Sequence, residues 1–190
     1  MIQNLYRFKP LRQVIPAFLA SLMIGFSATM AFAASIEPFV GDYSGSADVE
    51  NFDGTKAMRN MSVSIKENKN GFSVEWSTKT HREDGTSKEK SYDISFVASD
   101  RPDVFAAAMT KNVFGHEVQM NPMKGEPYVW ARIMGDTMTV YSLFVDADGG
   151  YELQQFDRTL AEGGLNLEFS RVSDGIKQRT SSAFLKRHGG

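Results

Sequence analysis

Apolar and polar residues alternate one for one through most of this chain, and that period of two constrains its fold more than any other feature. Met61, Val63 and Ile65 alternate with Ser62, Ser64 and Lys66. Beyond Asn70-Gly71, Phe72, Val74 and Trp76 alternate with Ser73, Glu75 and Ser77. Successive side chains of a strand point to opposite faces, so each such segment buries one face and wets the other. Turn residues punctuate the pattern at Asp84-Gly85, Gly135-Asp136, Asp146 to Gly150, Glu162-Gly163-Gly164 and Ser173-Asp174-Gly175. Glycine next to Asn or Asp supplies the positive φ that tight hairpins need. The remaining alternating segments run through Tyr92, Ile94 and Phe96, Tyr128 to Ile133, Met138 to Val145, Tyr151 to Leu160, Leu165 to Val172, and Ile176 to Leu185. With Phe39 to Val49 as the first, the sequence predicts an all-β fold, an antiparallel up-and-down meander of about 8–10 strands closed into a barrel, since closure removes exposed edges.

One stretch, residues 99–126, breaks the series. Pro102-Asp103 ahead of Val104, Phe105, three alanines and Met109 predicts the start of a short helix, with proline and an acidic residue in its first turn. Val113-Phe114 and Met120-Asn121-Pro122-Met123-Lys124-Gly125 follow as an apolar loop. Such a helix/loop insertion either plugs a barrel or forms a lid over a cavity.

The N-terminus predicts an export signal. Arg7, Lys9 and Arg12 precede an apolar run from Val14 to Phe26, and Ala31-Phe32-Ala33 offers a small-x-small cleavage pattern. An uncleaved anchor is the alternative, because no charge falls between Arg12 and Glu37. The small residues Ser27, Ala28, Thr29 and Ala31 to Ser35 favour cleavage near Ala33, leaving no stable membrane span. Residues 34–190 then form a single barrel domain of 157 residues, large enough for a core without staples. The chain has no cysteine, which excludes disulfides and lipid attachment at an N-terminal cysteine; the compartment this implies is the periplasm.

Without the three basic residues of the signal, 18 basic residues stand against 23 acidic ones, a net charge of −5. That balance predicts no nucleic-acid partner, which needs a concentrated positive surface. Lys177, Arg179, Lys186, Arg187 and His188 are the local exception and read as a solvated last strand and tail.

Gly41-Asp42-Tyr43-Ser44-Gly45 in the first strand, the chain of hairpins and an arginine near the end of the barrel, Arg171, together resemble the calycin group of lipocalin-type and avidin-type barrels. Tyr43 stands where the lipocalin pattern has tryptophan. The resemblance implies a barrel wide enough to hold one small apolar molecule.

Catalysis needs convergent titratable groups, and the three histidines at 81, 116 and 188 are scattered. Neither a Gly-x-Ser-x-Gly elbow nor a His-Glu-x-x-His pair is present, so no enzyme and no cofactor is expected. His116, Met120 and Met123, with Met109, are weak candidate metal ligands, since thioether and imidazole groups suit Cu(I). Asn121-Pro122 interrupts any helix joining them, and methionine also serves as core filler. Asp146-Ala147-Asp148-Gly149-Gly150 lacks the further ligands of a calcium loop and reads as a hairpin turn.

Ligand binding needs a mostly apolar interior with a few placed polar groups. Strand alternation predicts that Trp76, Tyr92, Phe96, Trp130 and Phe169 face inward. Tyr128, Trp130 and Arg132 share a face, as do Leu167, Phe169 and Arg171, so both arginines are candidates for the interior, paired either with Asp157 or with a ligand's acidic group. Two functional classes follow: a non-catalytic barrel that binds a small apolar, amphipathic or lipid-like ligand, and a filled barrel acting through its surface on an envelope protein partner. Interior volume separates them. A membrane-embedded barrel is disfavoured by Lys66, Glu75, Lys79 and Glu168 at outward positions.

Overall fold

The computed structural model describes residues 35–50, 56–82, 84–108, 110–111 and 117–189. The export signal, Met109 and His116 lie outside the described residues. Twelve strands follow in chain order: β1 (Gly41–Glu50), β2 (Lys56–Asn68), β3 (Gly71–His81), β4 (Ser87–Ala98), β5 (Val104–Ala107), β6 (Thr110–Lys111), β7 (Glu117–Val118), β8 (Tyr128–Met134), β9 (Thr137–Val145), β10 (Tyr151–Ala161), β11 (Gly164–Ser173) and β12 (Ile176–His188). Ten of them close an antiparallel barrel in the order β1-β12-β11-β10-β9-β8-β5-β4-β3-β2, and β6 pairs with β7 apart from it. The up-and-down barrel read from the alternation is therefore the fold.

The hairpins form largely where the turn residues stand. Asp146 closes the β9–β10 turn by accepting hydrogen bonds from Asp148 N (3.1 Å) and Gly150 N (2.7 Å). At Asn70-Gly71 the turn itself is Lys69-Asn70, and Gly71 already pairs with Asn68 as the first residue of β3. A Cβ on Gly71 would collide with the Phe96 carbonyl, so glycine is required there for the close approach of β4.

The sequence-predicted helix at Pro102 is not formed. Asp103 adopts φ 62°, outside the helical region, and Val104–Ala107 is a strand. It is the stave between the two halves of the barrel: Ala107 pairs with Phe96 on β4, and Phe105 pairs with Ala131 on β8. A helix would leave two strand edges open, a cost that outweighs the local preference of three alanines. Among the described residues of the insertion, the helical element is one 3-10 turn at Pro122–Lys124, where the Asn121 side chain accepts a hydrogen bond from Met123 N at 3.0 Å.

The core fills one end of the barrel. Phe39, Ile65, Phe72, Val74, Phe96, Ala131, Ile133, Met138, Leu165 and Leu185 are fully or almost fully buried there. Phe72 stacks on Phe96 and meets Phe105 edge-on, both at 5.0 Å between ring centroids. A 3-10 turn at Glu37–Phe39 inserts Phe39 into this end. Tyr43 donates its hydroxyl to the Phe39 carbonyl at 2.8 Å, and the Arg187 guanidinium lies 5.5 Å over the Tyr43 ring while donating to the carbonyls of Pro38 and Val40. The arginine that meets the first-strand aromatic is thus Arg187, not Arg171, and this part of the predicted solvated tail is a lock on the closed end.

Candidate functional site

The strands that converge at the closed end part at the other. β1 and β12 pair from Asp42 with His188 to Ser44 with Lys186 and then separate, while β5 joins β4 only along Phe96 to Ala98. Between the walls β2–β4 and β10–β12 lies a cavity of about 700 Å³. Its deeper wall carries Trp76, Phe156, Leu167 and Phe169, and its mouth carries Arg82, Asp84, Lys88 and Lys90, all four exposed. Trp76 links the two walls, stacked on Tyr92 at 5.1 Å and tilted against Phe156 at 5.6 Å, and Phe156 meets Phe169 at 4.9 Å.

The lining is strongly cationic. Among the described residues, Arg59, Arg82, Lys88, Lys90, Arg158, Arg171 and Arg179 face it, against one acidic residue, Asp84. The Asp84 carboxylate is already engaged by the hydroxyl (2.6 Å) and backbone N–H (2.8 Å) of Thr86, which hold its pKa below the usual range. Arg158 is the extreme case. It is 1% exposed, with Nε and Nη1 lacking any hydrogen-bond partner, and its guanidinium lies 5.6 Å over Trp76 and 5.7 Å over Phe156. Burial pushes its pKa down to about 10, partly offset by the neighbouring Asp157 charge, so it is a cation at neutral pH. Ring faces stabilise a cation but leave its N–H groups unsatisfied, and a buried charge in that state costs several kcal/mol, on the order of a whole domain's margin of stability. Arg59 Nε is buried without a partner as well.

Four of the sequence-predicted site residues come together here: Trp76, Tyr92, Phe169 and Arg171. Phe96 faces inward but belongs to the packed end, 0% exposed against Phe72. Tyr128, Trp130 and Arg132 do not reach the cavity. Val129, Ala131 and Ile133 are the buried residues of β8, so the alternate positions occupy its outer face, where Trp130 stacks on Tyr141 at 4.8 Å beside Tyr128 at 5.9 Å. A strand apolar on both faces gives no parity, and the larger aromatic misled the assignment although Arg132 marked its face as the wet one. Asp157 is not the arginines' partner: it accepts from Thr139 Oγ1 (2.6 Å) and Gln155 Nε2 (2.7 Å), while Arg171 pairs with Glu152 at 3.5 Å.

Sequence reasoning missed Arg59, Arg158 and Arg179. Arg158 shares the parity of Phe156 and was legible from it. Arg179 was not, because the β11–β12 register shifts between Arg171 and Val172, changing which residues of β12 oppose β11. No described residue of 99–126 lines the cavity. Phe105, Ala107 and Met120 pack into or against the core, whereas Met123 is 80% exposed. Among the described residues no cluster of three His, Cys, Asp or Glu could hold a metal, and no helix is long and apolar enough to cross a membrane.

The fold and cavity define a class, an antiparallel up-and-down barrel packed at one end and hollow at the other, compatible with the calycin architecture. No protein-family model and no curated protein sequence matches the chain.

Proposed function

We propose that the protein is a non-catalytic carrier for a small amphipathic anion, exported to the periplasm by a signal cleaved near Ala33. The observation that supports this reading is Arg158, a fully buried cation with unpartnered Nε and Nη1 in the wall of a cavity of about 700 Å³, among Trp76, Phe156 and Phe169. Natural interiors rarely keep a charge in that state unless something else completes it. A ligand carboxylate would accept from the Arg158 guanidinium, and the aromatic walls would cover its apolar body. The hollow half weighs against a filled barrel that works only through its surface.

A fluorescent fatty acid titrated into the protein purified without detergent tests the proposal. Saturable one-site binding, weakened about tenfold to a hundredfold by Arg158→Met through loss of a charge-assisted hydrogen bond, is the expected result. Absence of uptake by the folded wild-type protein would overturn it.

A further inference from the structure

Aromatic side chains line only a shallow band of the cavity, and strand register sets its depth. On one wall Arg158 pairs with Leu167, Phe156 with Phe169 in the next tier outward, and Gln154 with Arg171 in the tier beyond. On the facing wall Trp76 stands between Val63 and Tyr92, Thr78 between Met61 and Lys90, and Thr80 between Arg59 and Lys88. Successive tiers lie two residues apart, about 7 Å along the strand. Trp76 meets both Arg158 and Phe156, at 5.6 Å each, so its tier is the cavity floor on that wall.

Above that floor the walls turn polar quickly. One tier out, Thr78 and Lys90 already flank Met61. At the level of Thr80 and Gln154, every described lining side chain carries a hydrogen-bonding group. Gln154, its amide held by Glu152 at 2.6 Å, stands about 13 Å along β10 from Arg158, with the Phe156 tier midway. An anionic head at Arg158 therefore has one aromatic tier above it and polar side chains beyond. A methylene inside the aromatic tier gains about fourfold in affinity by leaving water, and one carried past it gains little. A hydroxyl is costly against an apolar wall and costs little where partners line the wall.

We propose that the ligand is a medium-length carboxylate with an uncharged polar far end. Its head lies at Arg158, an apolar body the length of octanoate crosses the Phe156–Phe169 tier, and a hydroxyl- or amide-bearing end lies beside Thr80 and Gln154. The inference rests on the binding function proposed above and adds the ligand's length and the chemistry of its far end. Long-chain acids enter the same site, but their outer methylenes are left among polar side chains.

Calorimetric titration of the protein, purified without detergent, with hexanoate, octanoate, decanoate, dodecanoate and ω-hydroxydecanoate tests this. Affinity should rise about fourfold per methylene from hexanoate to octanoate and change by less than about twofold from octanoate to dodecanoate. ω-Hydroxydecanoate should bind at least as tightly as decanoate. In a Thr80→Val, Gln154→Leu variant, whose melting temperature checks its fold, that order should reverse, with decanoate ahead by about fivefold or more. A rise of about fourfold per methylene continuing through dodecanoate would mean a deep apolar channel and overturn the inference, leaving the carrier function standing. So would weaker binding of ω-hydroxydecanoate than of decanoate by the wild type, the mark of a hydroxyl set against an apolar wall. An order unchanged in the variant would overturn the placement of the far end at Thr80 and Gln154. Binding of none of the acids would remove the carrier function itself.

Discussion

The two ends of the barrel are built from the same strands, yet β2, β3 and β4 carry Ile65, Val74 and Phe96 at one end and Arg59, Thr80 and Lys88 at the other. At the packed end, rings meet at 5.0 Å and Phe39 is inserted from outside the sheet; at the hollow end, arginines and lysines line open space. The packed end stabilises the fold, and the hollow end spends part of that stability on charge. A small barrel can hold a destabilised site because the other half of each strand is over-determined by packing.

The sharpest contrast is between two phenylalanines. Phe72→Ala should cost about 3–5 kcal/mol, since it opens a cavity among Phe96 and Phe105. Phe169→Ala, beside existing space, should cost about half that or less; urea unfolding of both variants decides, and equal losses would mean the two ends are equally packed. Next in size is Arg187→Met, which removes the lock over Tyr43 and should cost about 1–3 kcal/mol without changing ligand affinity. Arg158→Met should act in the opposite direction, leaving stability unchanged or raising it by about 1–3 kcal/mol, as replacing a buried uncompensated charge does. Thermal melts check this, and a clear loss of stability would mark Arg158 as structural.

The ends should also titrate with opposite signs. Burial raises the Tyr43 phenol above its ordinary 10.0, so its contribution is intact below pH 10 and is lost as pH rises through the folded value. Burial lowers Arg158 to about 10, so the cost of its charge is full below that pH and shrinks above it. Stability measured across this range should fall more gently in wild type than in Arg158→Met, and fall least where Tyr43→Phe has removed the phenol. The smallest effect belongs to the outer face: Trp130→Ala should cost at most about 1 kcal/mol of stacking on Tyr141 and leave binding unchanged.

The strands were legible because half-buried β-structure writes its period directly into residues such as Phe72, Val74 and Trp76. Val104–Ala107 was not, because its conformation is dictated by the two strand edges it joins, and no local residue announces them. The site was half legible for a related reason. Trp76 and Phe169 declare their face by contrast with Glu75 and Glu168, but Trp130 sits on a strand apolar on both sides. Arg179 depends on a register shift that arises between strands and not within one.

The two ends of the barrel's strand series meet at the packed end: Arg187 donates to the carbonyls of Pro38 and Val40, partners 149 and 147 positions away in sequence. A polypeptide emerging from its N-terminus therefore cannot seat Phe39 under its lock until the last strand is out. Such distant closure makes for slow folding, since the entropy of joining the ends is lost before any closing contact forms. The order of emergence also sets what a shortened chain lacks: one ending before Arg187 can align every hairpin from β2 to β11, but it leaves the Glu37–Phe39 turn without its clasp.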